Sequence, residues 1–347
     1  MRHTVWRGLA ALWAILTLAA GSAAGPQMVS SQTYTKKAPY TIGYDNYFMG
    51  NSWSVQFFEE FKNAVSTHRA LIKDVYYTDS GGQAARQVSN LENLIARKPD
   101  AIIVTPVSPT AVGPVIERAA GRGIVVILNA AKADTTKYTA YVDTDATEFG
   151  RLAAEWLVKK LGGKGQIIAL NGIAGLSVSE DRWNGAKAVF DKNPDLKVVG
   201  SANADWDYAK GKAACENLLA AHPTLDGVWS QGGAMTLGCI EAFQAAHRPL
   251  VPMTGEDNNG FLKAWKKLQS QGFDSIALSK PTWLSALALE TALNILQGKP
   301  VKRDDIVATP TITGAQLDKY VRPGFSDSFW ANTRLPDSTL KKMYAIK

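Results

Sequence analysis

The stretch "RKPDAIIVTPVSPTAVGPVIERAAGRGIVVILN" (residues 97–129) decides how this chain folds. It carries two short β-branched runs, "DAIIVT" (100–105) and "GIVVILN" (123–129). Between them, apolar residues recur every three or four positions, the spacing of one helix face. Both runs are almost continuously apolar, as strands covered on both faces must be. Strand, helix and strand in that order make the unit of a parallel sheet with helices packed on it.

The alternation continues outward in both directions. Upstream lie "YTIGYD" (40–45) and "LIKDVYY" (71–77). Downstream come "GQIIALN" (165–171), "LKVVGS" (196–201), "LDGVWS" (225–230), "LVPMTG" (250–255) and "DSIALS" (274–279). Helical stretches such as "SVQFFEEFKNAV" and "RLAAEWLVKKL" sit between most of them. The segment "YTAYVDTDATEFG" (138–150) breaks the rhythm and divides the series in two. The expected fold class is therefore α/β: two doubly wound parallel-sheet lobes whose strand C-terminal ends face one cleft. Later, "ALSKPTW" and "IVATPTI" each carry a proline where the chain can cross between lobes, giving three crossings and a three-strand hinge. The lobes are expected at 38–143 plus 280–308 and at 144–279 plus 309–320. Residues 321–347 read as a C-terminal extension with a short final helix and no assigned role.

The first 24 residues read as targeting. Arg2 and Arg7 precede an apolar run from Leu9 to Ala20, then the small-residue site Ser22-Ala23-Ala24. That pattern predicts a secretory signal peptide cleaved after Ala24, and hence an exported, periplasmic protein. The run of about 12 apolar residues is short of the ~20 that a membrane span needs. What remains is too long for one typical core and suggests two domains. Without Arg2 and Arg7 the formal charge is +5 (38 − 2 − 31), with no basic stripe, so no nucleic acid is expected as a partner. Four scattered histidines and no metal-ligand spacing predict no metal site, and no cofactor is expected. Cys215 and Cys239 flank "LDGVWS" in two expected helices; a disulfide and two buried thiols fit equally well.

Five segments in order, "GNSW" (50–53), the opening stretch, "NGIAGLSVSEDRWNGAKAVF" (171–190), "ADWDYAKGKAACENLLAAHPTLDGVWSQGGAMTLGCIEAF" (204–243) and "GEDNNG" (255–260), give the chain a family resemblance. From about residue 39 to about 320 it resembles the periplasmic sugar-binding proteins of ABC importers, the ribose-binding-like group with the type I fold. The resemblance implies two lobes that close on a ligand in the cleft and deliver it to an ABC permease in the inner membrane. A chemoreceptor could read the same closed surface.

A neutral sugar or polyol needs aromatic faces for its C–H groups and planar polar side chains for hydroxyls that would otherwise be buried unpaired. After the first strand lie Asp45, Asn46, Asn51 and Trp53; the last two match the family's hydroxyl-binding Asn and stacking aromatic. Asn129-Ala130 stands where the family usually has an Asp-Arg pair. Arg182 matches the family's ring-oxygen and hydroxyl contact, and Trp206 its second stacking aromatic. Asp257 matches a hydroxyl-binding Asp, with Glu256 in place of an aromatic and helix capping as the competing role for Asp257. Asp143, Ser279 and Lys280 complete the candidate set. Gly232-Gly233 replaces an Asn-Asp pair, an exchange expected to open space, with Gln231 as substitute. These departures make ribose itself a poor expectation.

The glycine-bearing turn "NGIAGL" lacks both G-x-G-x-x-G and G-K-[ST], so nucleotide binding is not indicated. An exported carbohydrate-active enzyme using cleft carboxylates is the competing function. It lacks a G-x-S-x-G elbow, a Cys/His pair or any activated pair that can be named. A sugar-responsive repressor would need DNA-binding helices in place of the signal segment.

Overall fold

The structure, a computed structural model, describes residues 25–346; the expected signal segment lies outside the described residues. Among the described residues there are twelve strands: β1 Tyr40–Asn46, β2 Ile72–Asp79, β3 Ala101–Val104, β4 Val125–Asn129, β5 Ala140–Thr144, β6 Gly165–Asn171, β7 Leu196–Asn203, β8 Gly227–Ser230, β9 Met253–Glu256, β10 Ser275–Leu278, β11 Asp304–Val307 and β12 Thr311–Ile312. Between and after them run α1 Ser52–Thr67, α2 Ala84–Ala96, α3 Pro109–Gly121, α4 Ala146–Leu161, α5 Ser177–Phe190, α6 Tyr208–Ala221, α7 Gly233–Ala245, α8 Asn259–Leu268, α9 Leu284–Leu296, α10 Leu317–Tyr320 and α11 Asp337–Tyr344.

The strands form two six-stranded sheets, ordered β11-β5-β4-β3-β1-β2 and β12-β10-β9-β8-β6-β7. All pairings are parallel except β10 with β12. Helices cover both faces, so the inner strands are buried along their length. The chain passes between sheets three times, after β5, after β10 and after β11. These passages are the three-strand hinge expected from the sequence.

β5 falls within the segment that the sequence reads as a break. It lies between β4 and β11 and is buried throughout. Only "AYV" is apolar before Asp143, too short a run to register as a strand. Helix starts follow the expected chemistry: Asn51, Asp145 and Asp207 cap α1, α4 and α6 by accepting from the backbone N–H three residues on. Cys215 of α6 and Cys239 of α7 form a disulfide, which decides the alternative left open by the sequence. No described helix is long and apolar enough to cross a membrane.

Past α10 the chain crosses the molecule before α11. Phe329, Leu335, Leu340 and Tyr344 bury a small cluster of their own there.

Candidate ligand-binding site

The C-terminal ends of the strands in both sheets face a cavity between the lobes. The first lobe lines it with Tyr47, Asn51, Trp53, Thr105, Ala130 and Ala131. The second contributes Leu176, Val178, Arg182, Trp206 and Glu256, the crossing after β10 adds Lys280, and the tail adds Trp330. The cavity, counted with its opening to solvent, has a volume of about 460 Å³. Across the cleft mouth, Lys132 Nζ donates to Asp181 Oδ2 at 2.8 Å and Lys132 N to Ser177 Oγ at 3.4 Å. The lobes are drawn together.

Arg182 is the best-fixed polar group. It leaves α5 with its guanidinium carbon 3.6 Å from the ring centroid of Phe149 on α4. Nη1 donates to the Gln231 carbonyl at 2.7 Å and Nη2 to Glu256 Oε1 at 2.7 Å, all of it buried. Gln231 thus acts behind Arg182: its Nε2 donates to Asn171 Oδ1 (3.0 Å) and Ser179 O (3.1 Å). Opposite, Lys280 Nζ donates to Asp143 Oδ1, while Tyr141 OH donates to Asp143 Oδ2 at 2.6 Å. Burial lowers the Lys280 pKa, and Asp143 opposes that shift. The two lining cations, Arg182 and Lys280, are each paired with a buried carboxylate, Glu256 on the wall and Asp143 behind it, so the two pairs carry no formal net charge.

Trp206 reaches the cavity through backbone in the left-handed region (φ 54°). Its indole lies against two glycines. A Cβ on Gly172 would stand 2.1 Å from Trp206 Cζ2, and one on Gly232 2.7 Å from Cδ1. Gly172 thus makes room for an aromatic ring, and the expectation of open space at Gly232-Gly233 is corrected. The space freed at Gly232 is filled by Trp206, and a Cβ on Gly233 would meet the Glu256 carbonyl at 2.3 Å, so no extra room for a ligand results.

Asn51 and Trp53 also line the cavity, Asn51 while capping α1 through Ser54 N (2.9 Å). Trp53 Nε1 donates to the Lys280 carbonyl at 2.8 Å. The remaining candidates face elsewhere. Asp45 is held by Thr78, Ser80, Gln87 and Asn90 within its own lobe, which uses up its acceptor sites. Asn46 Nδ2 donates to Phe48 O at 3.1 Å and shapes the loop after β1. Asn129 Nδ2 bonds the carbonyls of Val142 and Leu284, both at 3.2 Å, and Ala130 takes the cavity position instead. Asp257 neither lines the cavity nor caps α8, whose N-cap is Asn258. Its Oδ2 accepts from Asn332 N at 2.8 Å, and burial, with Glu256 alongside, pushes its pKa up to about 7. Ser279 stands behind the cavity, its N–H bonded to the Pro310 carbonyl at 2.9 Å.

Sequence reasoning missed Tyr47, Thr105, Leu176, Val178 and Trp330. Tyr47 and Thr105 follow strand ends, Leu176 precedes α5 and Val178 lies in its first turn, positions that a rule confined to Trp, Asp, Asn and Arg passes over. Three lining residues hold a buried polar atom without a hydrogen-bond partner: Thr105 Oγ1, Arg182 Nε and Trp206 Nε1. Among the described residues no cluster of His, Cys, Asp or Glu is placed to hold a metal.

Two lobes, three crossings and a cavity walled by both lobes define a bilobal cleft-binding protein of the α/β class. The chain belongs to the periplasmic binding protein family, whose domain description matches residues 42–300. It is 27% identical over 290 residues to the ribose import binding protein of Bacillus subtilis, covering 83% of this chain and 92% of that one. It is 29% identical over 264 residues to the xylitol-binding protein of Mycolicibacterium smegmatis, covering 76% and 75%. The crystal structure of an ABC transporter solute-binding protein from Thermobispora bispora superposes with a TM-score of 0.77 at 24% identity, over 87% of this chain and 94% of that one.

Proposed function

We propose that this protein is the exported solute receptor of an ABC importer and binds a neutral monosaccharide or polyol in the inter-lobe cavity. The supporting observation is the cavity wall itself: aromatic faces, self-neutralised ion pairs, and three orphaned polar atoms on Thr105, Arg182 and Trp206. A charged ligand would unbalance the two buried pairs. A hydroxyl-rich neutral one places C–H groups on Trp53, Trp206 and Trp330 and gives the orphaned atoms partners. The ribose and xylitol receptors among its relatives belong to the same chemical class. Glu256 is the only carboxylate lining the cavity among the described residues, and it is bound to Arg182, so the pair needed for glycoside hydrolysis is missing.

In this reading residues 38–143 plus 280–308 and 144–279 plus 309–320 move as the two lobes, and the permease senses their closed arrangement. Ligand favours closure because it touches both lobes only there. Residues 1–24 act as a cleaved export signal.

The test is a thermal-shift and calorimetric screen over pentoses, hexoses, furanoses and polyols, with recovery of the bound compound. At least one should raise the melting temperature, bind at micromolar or better affinity, and be recovered unchanged. A screen with no binder, or a ligand recovered as a different compound, overturns the reading.

A further inference from the structure

Residues 322–335 lie beyond the family match and touch both lobes. On the second lobe, Asn259 at the start of α8 grips the tail. Its Nδ2 donates to the carbonyls of Arg322 (3.0 Å), Phe325 (3.1 Å) and Ser326 (3.1 Å), and its Oδ1 accepts from Arg322 N at 3.0 Å. Asn258 Nδ2 and Gly260 N both donate to the Asp327 carbonyl, at 2.8 and 3.1 Å.

Three residues later the tail is on the first lobe. Gln56 of α1 holds the Trp330 backbone from both sides: Oε1 accepts from its N–H at 3.0 Å and Nε2 donates to its carbonyl at 2.9 Å. Trp330 Nε1 donates to Ser52 Oγ at 3.0 Å. One turn along α1, buried Glu60 accepts from Thr333 Oγ1 (2.5 Å) and Arg334 N (2.8 Å). Between these anchors Asn332 N returns to Asp257 at the end of β9. Trp330 is 2% exposed and is part of the cavity wall.

Asp327 and Trp330 are three peptide units apart, a reach of roughly 10–11 Å when fully extended. So short a connection cannot keep both sets of anchors if the lobes swing far apart. Buried polar anchors of this kind are also costly to leave unpaired.

We propose that residues 322–335 are a strap that completes the ligand site: Trp330 is a specificity-determining wall, and the double anchorage on α1 and α8 retains the ligand by limiting how far the lobes open. The specificity half rests on the cavity being a sugar or polyol site; the restraint half does not.

Four variants of the full chain separate the two. Trp330→Ala is expected to weaken binding about tenfold or more and to change the ratio of pentose to hexose affinities, and Trp330→Phe to recover most of the loss. Gln56→Ala and Ser52→Ala remove anchors of the strap without removing any side chain that lines the cavity. They are expected to speed ligand dissociation several-fold, and to enlarge the radius of gyration of the ligand-free protein in solution scattering. Folded Trp330 variants with wild-type affinity ratios overturn the specificity role. Folded Gln56→Ala and Ser52→Ala proteins with wild-type dissociation rates and radii overturn the restraint. Should the wild-type protein bind nothing in the panel, the sugar-site reading and the specificity role fall with it. Scattering then decides the restraint alone: a larger radius supports it and an unchanged one refutes it.

Discussion

Arg182→Ala should separate what the buried ion pair does for the fold from what it does for the ligand. The substitution removes two 2.7 Å hydrogen bonds and the face of the guanidinium against Phe149, and it leaves Glu256 buried without its cation. Breaking one side of a buried pair typically costs about 3–5 kcal/mol. At roughly 3 °C per kcal/mol for a lobe of this size, the melting temperature should fall by about 9–15 °C. Ligand affinity should fall by about 3 kcal/mol, or roughly 150-fold, as a charged donor to a hydroxyl is lost. The double variant Arg182→Met, Glu256→Gln removes the orphaned charge while keeping bulk. It should regain most of the stability in differential scanning calorimetry but none of the binding in isothermal titration. If the single variant melts like wild type, Glu256 does not depend on Arg182. If the double variant binds like wild type, the pair does not touch the ligand, and the assignment of Arg182 collapses.

Other outcomes can be stated more briefly. Gly172→Ala should clash with the Trp206 indole, costing about 1–3 kcal/mol by overpacking and weakening binding as the ring shifts; unchanged binding would detach Trp206 from the site. Reducing the Cys215–Cys239 bond, whose closed loop spans a sequence separation of 24, should cost about 3.5 kcal/mol by chain entropy, read as a lower midpoint in urea with reductant. Burial raises Asp257 from 3.8 to about 7, so the folded state holds its proton where the unfolded state has released it. That stabilisation is complete below about pH 4 and is lost as pH rises through about 7, at most ~4 kcal/mol. Asp257→Asn should flatten this part of the stability–pH curve, and a curve as steep as wild type would show that Asp257 is not responsible.

The parallel strands were readable because burial on both faces demands unbroken apolar runs, and most of them stand where those runs lie. β5 was not readable, because three apolar residues before Asp143 carry too little of that signal. Asn51, Trp53, Arg182 and Trp206 could be picked out because they match contact positions of the family the chain resembles, and Glu256 and Lys280 because they stand at or just past strand C-terminal ends, where open α/β sheets bind ligands. Asp45, Asn129 and Asp257 occupy equally promising places and turn away. Successive side chains leave a strand on opposite faces, and nothing in the residue type reveals which face a terminal Asp or Asn takes. Trp330 had no local signature at all. It reaches the cavity from a segment with neither strand nor helix periodicity, and only the three-dimensional course of the chain brings it there.

The place of β11 has a consequence for how the polypeptide matures. This strand closes the edge of the first sheet, yet about 160 residues separate it from β5, its neighbour there, and all but one strand of the other sheet lie in between. Were that intervening chain a random coil, joining its ends would cost on the order of 4–5 kcal/mol in entropy. If the intervening unit folds beforehand, the two joining segments are delivered side by side and most of that cost disappears. Refolding from denaturant should therefore complete the later-encoded half first, with the edge of the earlier one zipping up last.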